Sequence, residues 1–365
     1  MSAPAAGSEA PLLSMRNVRR SFVIRRDLLG RPRERVRAVD DVSLDVDAGA
    51  TLGIVGESGS GKSTLGRLAL RLVEADQGEI TFDGSDLRAH TPAQLRAVRP
   101  NLTMIFQDPY SALNPRWTIG RSVAEPLRAA GVGDAAGHRA AVAEMLELVG
   151  LDADVIERRP DAFSGGQRQR IVIARALILR PRLVFCDEPV SALDVSTRAQ
   201  VLRLLRDLQK ELALTYLFVS HDLGIVAAMS ERIAVMYLGS IVEIGPADAV
   251  AGRYRHPYTA SLVSASPAPD PLAQRGRQRL VLAGDPPSPI DPPSGCAFHP
   301  RCPLAAPICT TRKPELRIGT DGHAVACHVT AGEQQLRGEA LLARMTRFAP
   351  EETAGHRLIT EGTSR

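Results

Sequence analysis

Long apolar runs, aromatic rings and cysteines are all scarce in this chain. No window of about 18 apolar residues exists, and the best candidate, IVIARALIL, is interrupted by Arg175 and too short to span a bilayer. The N-terminus, MSAPAAGSEAPLL, has no basic segment followed by an apolar one, so no secretory signal is read there. A cytosolic setting follows, in which disulfides are rare and clustered cysteines point to metal or redox chemistry. Aromatics make up 4% of the residues, so Leu, Val, Ile and Ala must fill the core. The formal net charge of +4 points to no particular partner, and nucleic acid is not expected among them. The charge is uneven: Arg16 to Arg37 holds nine arginines against Asp27 and Glu34. That stretch reads either as a solvated loop or as a contact for anionic lipid or an acidic partner. What is present is ordinary for a soluble globular protein: 365 residues, 44% hydrophobic and 24% charged, enough for one large or two modest domains.

The stretch TLGIVGESGSGKSTLGRLALRLV carries the pattern GxxxxGK[ST] at Gly56–Ser63. Thr51–Val55 is a short β-rich run and Leu65–Val73 has helical periodicity, so a strand, a glycine-rich turn and a helix start come in order. Glycines let successive backbone N–H groups point at an anion, and the helix dipole adds attraction. The candidate nucleotide cradle is Gly56, Glu57, Ser58, Gly59, Ser60, Gly61, Lys62, Ser63 and Thr64. Lys62 should reach the β- and γ-phosphates, and the Ser63 hydroxyl should bind Mg²⁺.

Downstream, RLVFCDEP ends an apolar strand in two acids. Asp187 is placed to hold Mg²⁺, and Glu188 is the natural general base for an attacking water. Cys186, inside that strand, reads as a small buried hydrophobe.

The segment FSGGQRQRIVIARAL narrows the class. Ser164, Gly165, Gly166 and Gln167 open a periodic helix with Ile171, Ala174, Leu177 and Ile178 on one stripe. It is a second anion-ready helix start, and one triphosphate does not need two such cradles from one chain. A dimer, with each nucleotide between one chain's phosphate loop and the other's SGGQ segment, is the economical solution. These residues resemble the signature motif of ATP-binding cassette (ABC) ATPases, and the resemblance covers roughly residues 14–250. It implies an α/β fold, a phosphate-loop core with an inserted helical subdomain. Gln107 in MIFQDP matches the family's glutamine loop, which senses Mg²⁺ and the attacking water. Asp194 in SALD matches the loop after the acidic strand, and His221 in LFVSHD matches the switch histidine at the γ-phosphate. Phe163 stands where the family usually has Leu. An aromatic should stack on adenine; Phe22 is the candidate, and a core role for it is the alternative.

Residues 109–160 read as the helical subdomain, between core segments 14–108 and 161–250. In the family, the groove between these parts receives short helices of membrane subunits. QDPYSALNPR (107–116) and HPYT (256–259) resemble the peptide and nickel import branch. That resemblance implies an ATPase at the cytoplasmic face of the cell membrane. Its expected partners are a second ATPase subunit, two membrane permease subunits and an extracytoplasmic binding protein. The cargo would be di- or oligopeptides, or nickel or another small solute.

Residues 264–294, rich in Pro, Ser and Asp, read as a linker or extended arm. Cys296, Cys302, Cys309 and Cys327 follow, in an accessory region at 251–330; the tail at 331–365 is uninformative. Four thiolates suit Zn²⁺ or a [4Fe–4S] cube. The paired spacing of zinc ribbons is absent, and cysteine-bearing members of the branch are taken to carry an iron–sulfur cluster. His299, His323 and His328 flank the cysteines; each reads as a surface residue or a mixed ligand.

Overall fold

Apolar residues run almost without a break along the central strands, and both faces of those strands are covered. The structure is a computed structural model that describes residues 10–27, 31–266, 280, 282, 284–331 and 336–348. β1 (Leu13–Arg26) and β2 (Pro32–Val46) make an antiparallel hairpin that sets Leu13 against Val46, Met15 against Leu44 and Val18 against Val42. The Arg-rich stretch is the outer half of this hairpin. With β4 (Gln77–Phe82) and β5 (Ser85–Asp86) the hairpin forms a four-stranded sheet in the order β2-β1-β4-β5.

The second sheet has eight strands. β6 (Leu102–Ile105), β7 (Leu183–Asp187), β8 (Thr215–Ser220), β3 (Thr51–Val55) and β9 (Arg232–Tyr237) lie side by side and parallel. β10 (Ser240–Pro246) joins β9 antiparallel, and two short C-terminal strands, Ala324–Val325 and Arg317–Ile318, extend the same edge. Part of the expected accessory region is thus an extension of the central sheet.

Alternation along these strands divides the core. Leu52, Ile54, Leu183, Phe185, Leu217 and Val219 face one way, with Leu65 and Leu68 of helix α1 (Lys62–Ala69) and the small sheet. Val55, Val184, Cys186, Tyr216 and Phe218 face the other way, toward helices. A strand buried on both faces reads as a near-continuous apolar run, which is why LVFCD and TYLFVS look as they do. Burying one Leu or Phe of this set contributes about 1.5–3 kcal/mol. Gly53 breaks the run because a Cβ there would sit 2.2 Å from Val226 on the helix packed against β3.

One helix leads into β6, and four short or medium helices follow it, ahead of the helix opened by SGGQ and of β7. α2 (Pro92–Val98) precedes β6, and α3 (Pro109–Ala112), α4 (Ile119–Val123), α5 (Glu125–Ala130) and α6 (Ala135–Leu148) fill the stretch expected to be helical. Ile119, Val123, Val142, Met145 and Leu146 pack in one buried cluster with Ile171 and Val172 of α7 (Gly165–Leu177). Phe163 is buried at 7% exposure, so the apolar anchor before α7 is retained. α8 (Val195–Glu211) and α9 (Leu223–Met229) follow β7 and β8. α10 (Ala247–Gly252) and α11 (Pro257–Ala265) follow β10.

Three sequence expectations for the C-terminal part need revision. α11 runs through Ser264 and Ala265, so the arm does not begin at 264; residues 267–279, 281 and 283 lie outside the described residues, and 284–294 have neither helix nor strand. The tail carries a helix, Glu339–Phe348, that packs against α11 and buries Leu341 and Met345. His323 is not a surface residue: it is 1% exposed, and its Nε2 is 2.7 Å from Oε1 of the buried Glu243. Glu243 also accepts the backbone N–H groups of Arg255 and His256, so this carboxylate joins β10, the start of α11 and the C-terminal strand pair.

Candidate nucleotide-binding site

The loop between β3 and α1 wraps an open helix start. Gly61 precedes α1 with φ 104°, and no side chain caps the helix. That conformation suits glycine, and a Cβ would lie 2.0 Å from the Ala38 carbonyl. By contrast, Ser164, Asp194 and Asp222 cap α7, α8 and α9 with their own side chains. The first N–H groups of α1 are therefore the free ones, which is the anion-binding arrangement of a helix N-terminus. Lys62, 5% exposed, donates from Nζ to the Gly56 and Glu57 carbonyls, both at 2.8 Å. Burial lowers the Lys62 pKa, and Glu188, Asp187 and Glu57 partly restore it. Of the remaining loop residues, Ser60 is buried, Thr64 is half-buried, and Ser58 and Gly59 are exposed at the tip.

Two oxygen donors converge beside the loop. The Ser63 hydroxyl donates to Asp187 Oδ1 at 2.7 Å, and Asp187 is 4% exposed at the end of β7. Burial raises the Asp187 pKa, against the pull of Ser63 and Arg67. A buried carboxylate and a hydroxyl at this separation fit Mg²⁺, a hard cation that takes a few protein oxygens and fills its shell with phosphate and water.

Glu188 comes next, with a left-handed φ of 48°. Its N–H donates to Val219 O at 3.1 Å, and the carboxylate turns outward to meet two side chains. Gln107 Nε2 donates to Glu188 Oε2 at 3.4 Å, and His221 Nδ1 lies 3.1 Å from the same oxygen. The three residues predicted to govern hydrolysis therefore share one atom, although Gln107 and His221 arrive from separate strand ends. Positive φ costs a non-glycine residue of order 1 kcal/mol or more, and here it aims the carboxylate across the strand ends.

The SGGQ segment lies apart. Ser164 and Gln167 form a reciprocal capping box at the start of α7, and both are exposed. No hydrogen bond or ion pair among the described residues joins Ser164–Gln167 to the phosphate loop. Gly166 packs so tightly that a Cβ would meet Thr197 at 2.4 Å, whereas a Cβ on Gly165 has only ordinary contacts. Asp194 accepts from the N–H groups of Ser196 and Thr197 and from the Ser196 hydroxyl, and these bonds hold its pKa well below the usual carboxylate range.

Phe22 is 36% exposed on β1, opposite Val36, with the Arg20 guanidinium 4.7 Å from its ring centre. Its alternative role in the core is therefore not what the structure has.

The four-cysteine site does not take the expected form. Cys296, Cys302, Cys309 and Cys327 are free thiols, close enough that Cys296 feels the charge of Cys309 and Cys327, and Cys302 that of the other three. Burial pushes Cys296 up to about 11 and Cys302 up to about 12. Yet among the described residues no three His, Cys, Asp or Glu side chains are arranged to hold a metal ion. The histidines do not complete a ligand set either: His299 Nδ1 lies 2.9 Å from Cys296 O, His328 Nε2 lies 2.8 Å from Arg312 O, and His323 is held by Glu243. Neither a zinc site nor an iron–sulfur site is supported by this geometry. Cys186, in contrast, is fully buried in β7 as expected.

Sequence reasoning missed the contacts made by the C-terminal region to the phosphate loop. The Glu57 N–H donates to Tyr258 Oη at 2.7 Å, and Arg301 pairs with the Glu57 carboxylate. Tyr258 lies in the HPYT stretch noted only as a resemblance, and Arg301 stands between two cysteines that drew attention away from it.

Comparison with known proteins gives the family of the chain. The family profile of ABC transporters matches residues 39–191, and that of the oligopeptide/dipeptide transporter C-terminal region matches 242–309. The oligopeptide transport ATP-binding protein AppF of Bacillus subtilis is 46% identical over 325 residues, 89% of this chain and 99% of that protein. The chain belongs to the ABC transporter ATPases, in the branch with the oligopeptide/dipeptide C-terminal region. It is an ATPase of that fold. A probable peptide ABC transporter ATP-binding protein of Sinorhizobium fredii, y4tS, is 50% identical over 296 residues, 81% of this chain and 83% of that protein. Among solved structures, the ATP-binding cassette MJ0796, a dimer in a post-hydrolysis state with ADP and Pi, is 28% identical with a TM-score of 0.57. That match covers 64% of this chain and 98% of that one.

Proposed function

We propose that this chain binds MgATP between its own phosphate loop and the SGGQ segment of a second ATPase subunit, and that the resulting closure powers peptide uptake. The observation that carries the reading is the convergence of Gln107 and His221 on one oxygen of Glu188, beside the Ser63–Asp187 pair. In this assignment Glu188 takes the proton from the attacking water, with Gln107 and His221 holding its carboxylate until the γ-phosphate arrives. Lys62 and the N–H groups from Gly59 to Thr64 hold the phosphates; Phe22, exposed on the hairpin, stacks on adenine. Ser63 and Asp187, with Gln107, would hold Mg²⁺, which would supply neutralisation of the charge on the phosphate oxygens. Asp194 keeps the loop after β7 in shape at the subunit boundary. Ser164 and Gln167, exposed and engaged only in the capping box at the start of α7, are the side offered to the neighbour's nucleotide.

Residues 109–160 act as the helical subdomain of this engine, with 14–108 and 161–250 as the core and 251–330 as the accessory region. Leu72 and Phe106 stand exposed at 52% and 47% beside a cleft of about 230 Å³ lined also by Met104, Pro126 and Val172. That apolar cleft is the seat for a short helix of a membrane permease subunit. No helix among the described residues is long and apolar enough to cross a membrane. In this reading, which rests on the family, the chain works from the cytoplasmic face through two permease subunits and an extracytoplasmic binding protein. Peptide cargo rests on relatives whose names state peptide import, such as the Brucella ovis protein that is 48% identical over 98% of its length. Nickel or another small solute of the same branch is the second reading.

The test is reconstitution with the membrane and binding proteins encoded nearby. Peptide-stimulated ATP hydrolysis and peptide uptake, both lost in Lys62→Ala, meet the proposal. Uptake of nickel and not of peptide favours the second reading, and ATP turnover indifferent to every cargo overturns both. Separately, we infer that the gathered thiols take up a [4Fe–4S] cluster, with Zn²⁺ as alternative. What supports it is the gathering of four of the chain's five cysteines in residues 296–327 and the resemblance of that region to cysteine-bearing members of the branch. The arrangement of the thiols does not support it, since they form no ligand set among the described residues. Iron and sulfide in anaerobically purified protein meet this, and protein without metal rejects it.

A further inference from the structure

The phosphate loop is held from behind by the C-terminal region, at one residue. Glu57 is the second residue of the loop. Its N–H is taken by Tyr258 Oη, and its carboxylate accepts from Arg301 Nη1 at 3.2 Å to Oε1 and 2.9 Å to Oε2. The Arg301 side chain is 9% exposed and the Glu57 side chain 31%, so the pair is partly desolvated, mainly on the arginine side. It also rests on a rigid base. Arg301 ends a single 3₁₀ turn, His299–Arg301, directly after Phe298. Phe298 is 1% exposed and meets Tyr237 edge-on at 5.3 Å and Tyr258 at 5.5 Å. Tyr237 closes β9, the strand paired with β3 beside the loop.

Lys62 explains why the pair matters. Its ammonium is bound to the carbonyls of Gly56 and Glu57, not to the Glu57 carboxylate, although Glu57 is close enough to act on its charge. A Glu57 carboxylate without a partner would have Lys62 within electrostatic reach to turn to, and would repel an incoming triphosphate. Removing one member of a partly desolvated pair leaves an uncompensated charge, which is the costly outcome.

We propose that Arg301 is a positioning residue for the phosphate loop, holding the Glu57 carboxylate away from Lys62 and from the seat of the triphosphate. The accessory region thereby sets the affinity of the site for ATP without touching nucleotide. This rests on the reading that Gly56–Ser63 holds the phosphates.

The experiment measures ATP affinity of the purified full chain with a fluorescent trinitrophenyl-ATP probe, and KM and kcat of the assembled transporter. Arg301→Gln raises Kd and KM about tenfold and leaves kcat within about twofold, a loss expected for an unpaired charge beside an anion site. Adding Glu57→Gln to that variant returns Kd to within about threefold of the wild type, because the liberated charge is gone. Arg301→Lys, which keeps the charge and carries the test if the glutamine variant fails to fold, stays within about threefold. Wild-type affinity in Arg301→Gln, a double variant no tighter than the single, or a lysine variant as weak as glutamine would each overturn the proposal. Lys62→Ala is the control. If it binds ATP normally, the phosphate-loop reading itself fails; if it loses ATP while Arg301→Gln keeps it, only the positioning role fails.

Discussion

In the proposed reading the chemistry of this molecule rests on one carboxylate, that of Glu188, on which Gln107 and His221 converge. Its neighbour Asp187 is buried and tied to Ser63, whereas Glu188 is turned outward by a left-handed backbone and met by Gln107 and His221. Replacing it with Gln keeps the shape and the contact with Gln107 but removes the proton acceptor. Glu188→Gln should bind MgATP with affinity within about threefold of wild type and lose turnover by at least about a hundredfold, the contribution typical of a positioned base. Phosphate release and equilibrium binding measured on the same preparation check this; residual hydrolysis within tenfold of wild type would take the base role from Glu188. The residues of this site were legible in the sequence because each stands at a strand end or helix start, where a short motif dictates the geometry. Tyr258 and Arg301 were not legible: their roles depend on a fold that returns residues about two hundred positions later to the loop, and no local spacing encodes that return.

At the level of elements, α11 shows how a helix start can depend on pH. His256 is its N-cap, 1% exposed, and its Nδ1 accepts the Tyr258 N–H at 3.0 Å. Burial lowers its pKa from 6.5 to about 3, opposed only by a bond to the Ala326 backbone. The folded protein therefore keeps His256 neutral while the unfolded chain takes up a proton below about 6.5. That contribution is whole above 6.5 and is lost as pH falls toward 3, by at most about 1.4 kcal/mol per pH unit. His256→Asn retains a capping side chain and cannot titrate in this range. Urea melts at several pH values should show the gap between wild type and His256→Asn narrowing as pH falls below 6.5; a gap constant from pH 7.5 to 5 would remove His256 from this role. β3, β7, β8 and the helices α1 and α7 were readable as elements, α1 from its apolar period after the glycine-rich turn and α7 from its apolar period together with the capping Ser164. The C-terminal elements were not. Ala324–Val325 is too short to carry a pattern, and it is a strand only because β10 offers an edge; Glu339–Phe348 is a helix whose apolar face needs α11 to cover it.

For the whole molecule, the two halves of the proposed ATP site do not meet within one chain. α1 presents an uncapped N-terminus beside Lys62, while Ser164 and Gln167 stand exposed on α7 with their side chains engaged only with each other. A second subunit is the remaining source of the missing half, and the glycines of the SGGQ segment supply a clean way to separate dimer closure from folding. Gly166 cannot take a side chain without displacing Thr197, so its loss would confound the two. Gly165 can, because a Cβ there meets only Tyr110 and Leu193 at 3.8 Å or more. Gly165→Arg should therefore fold and bind ATP with wild-type affinity as a single subunit. In a Glu188→Gln background, where ATP is not consumed, size-exclusion chromatography with MgATP should give a dimer for the parent and a monomer for the added Gly165→Arg. ATP turnover of Gly165→Arg alone should drop at least about a hundredfold, since an opposing helix start supplies stabilisation to the phosphates that water cannot replace in kind. A Gly165→Arg subunit that still dimerises and turns over ATP would mean that the nucleotide is completed from within one chain, and the exposed start of α7 would need another purpose.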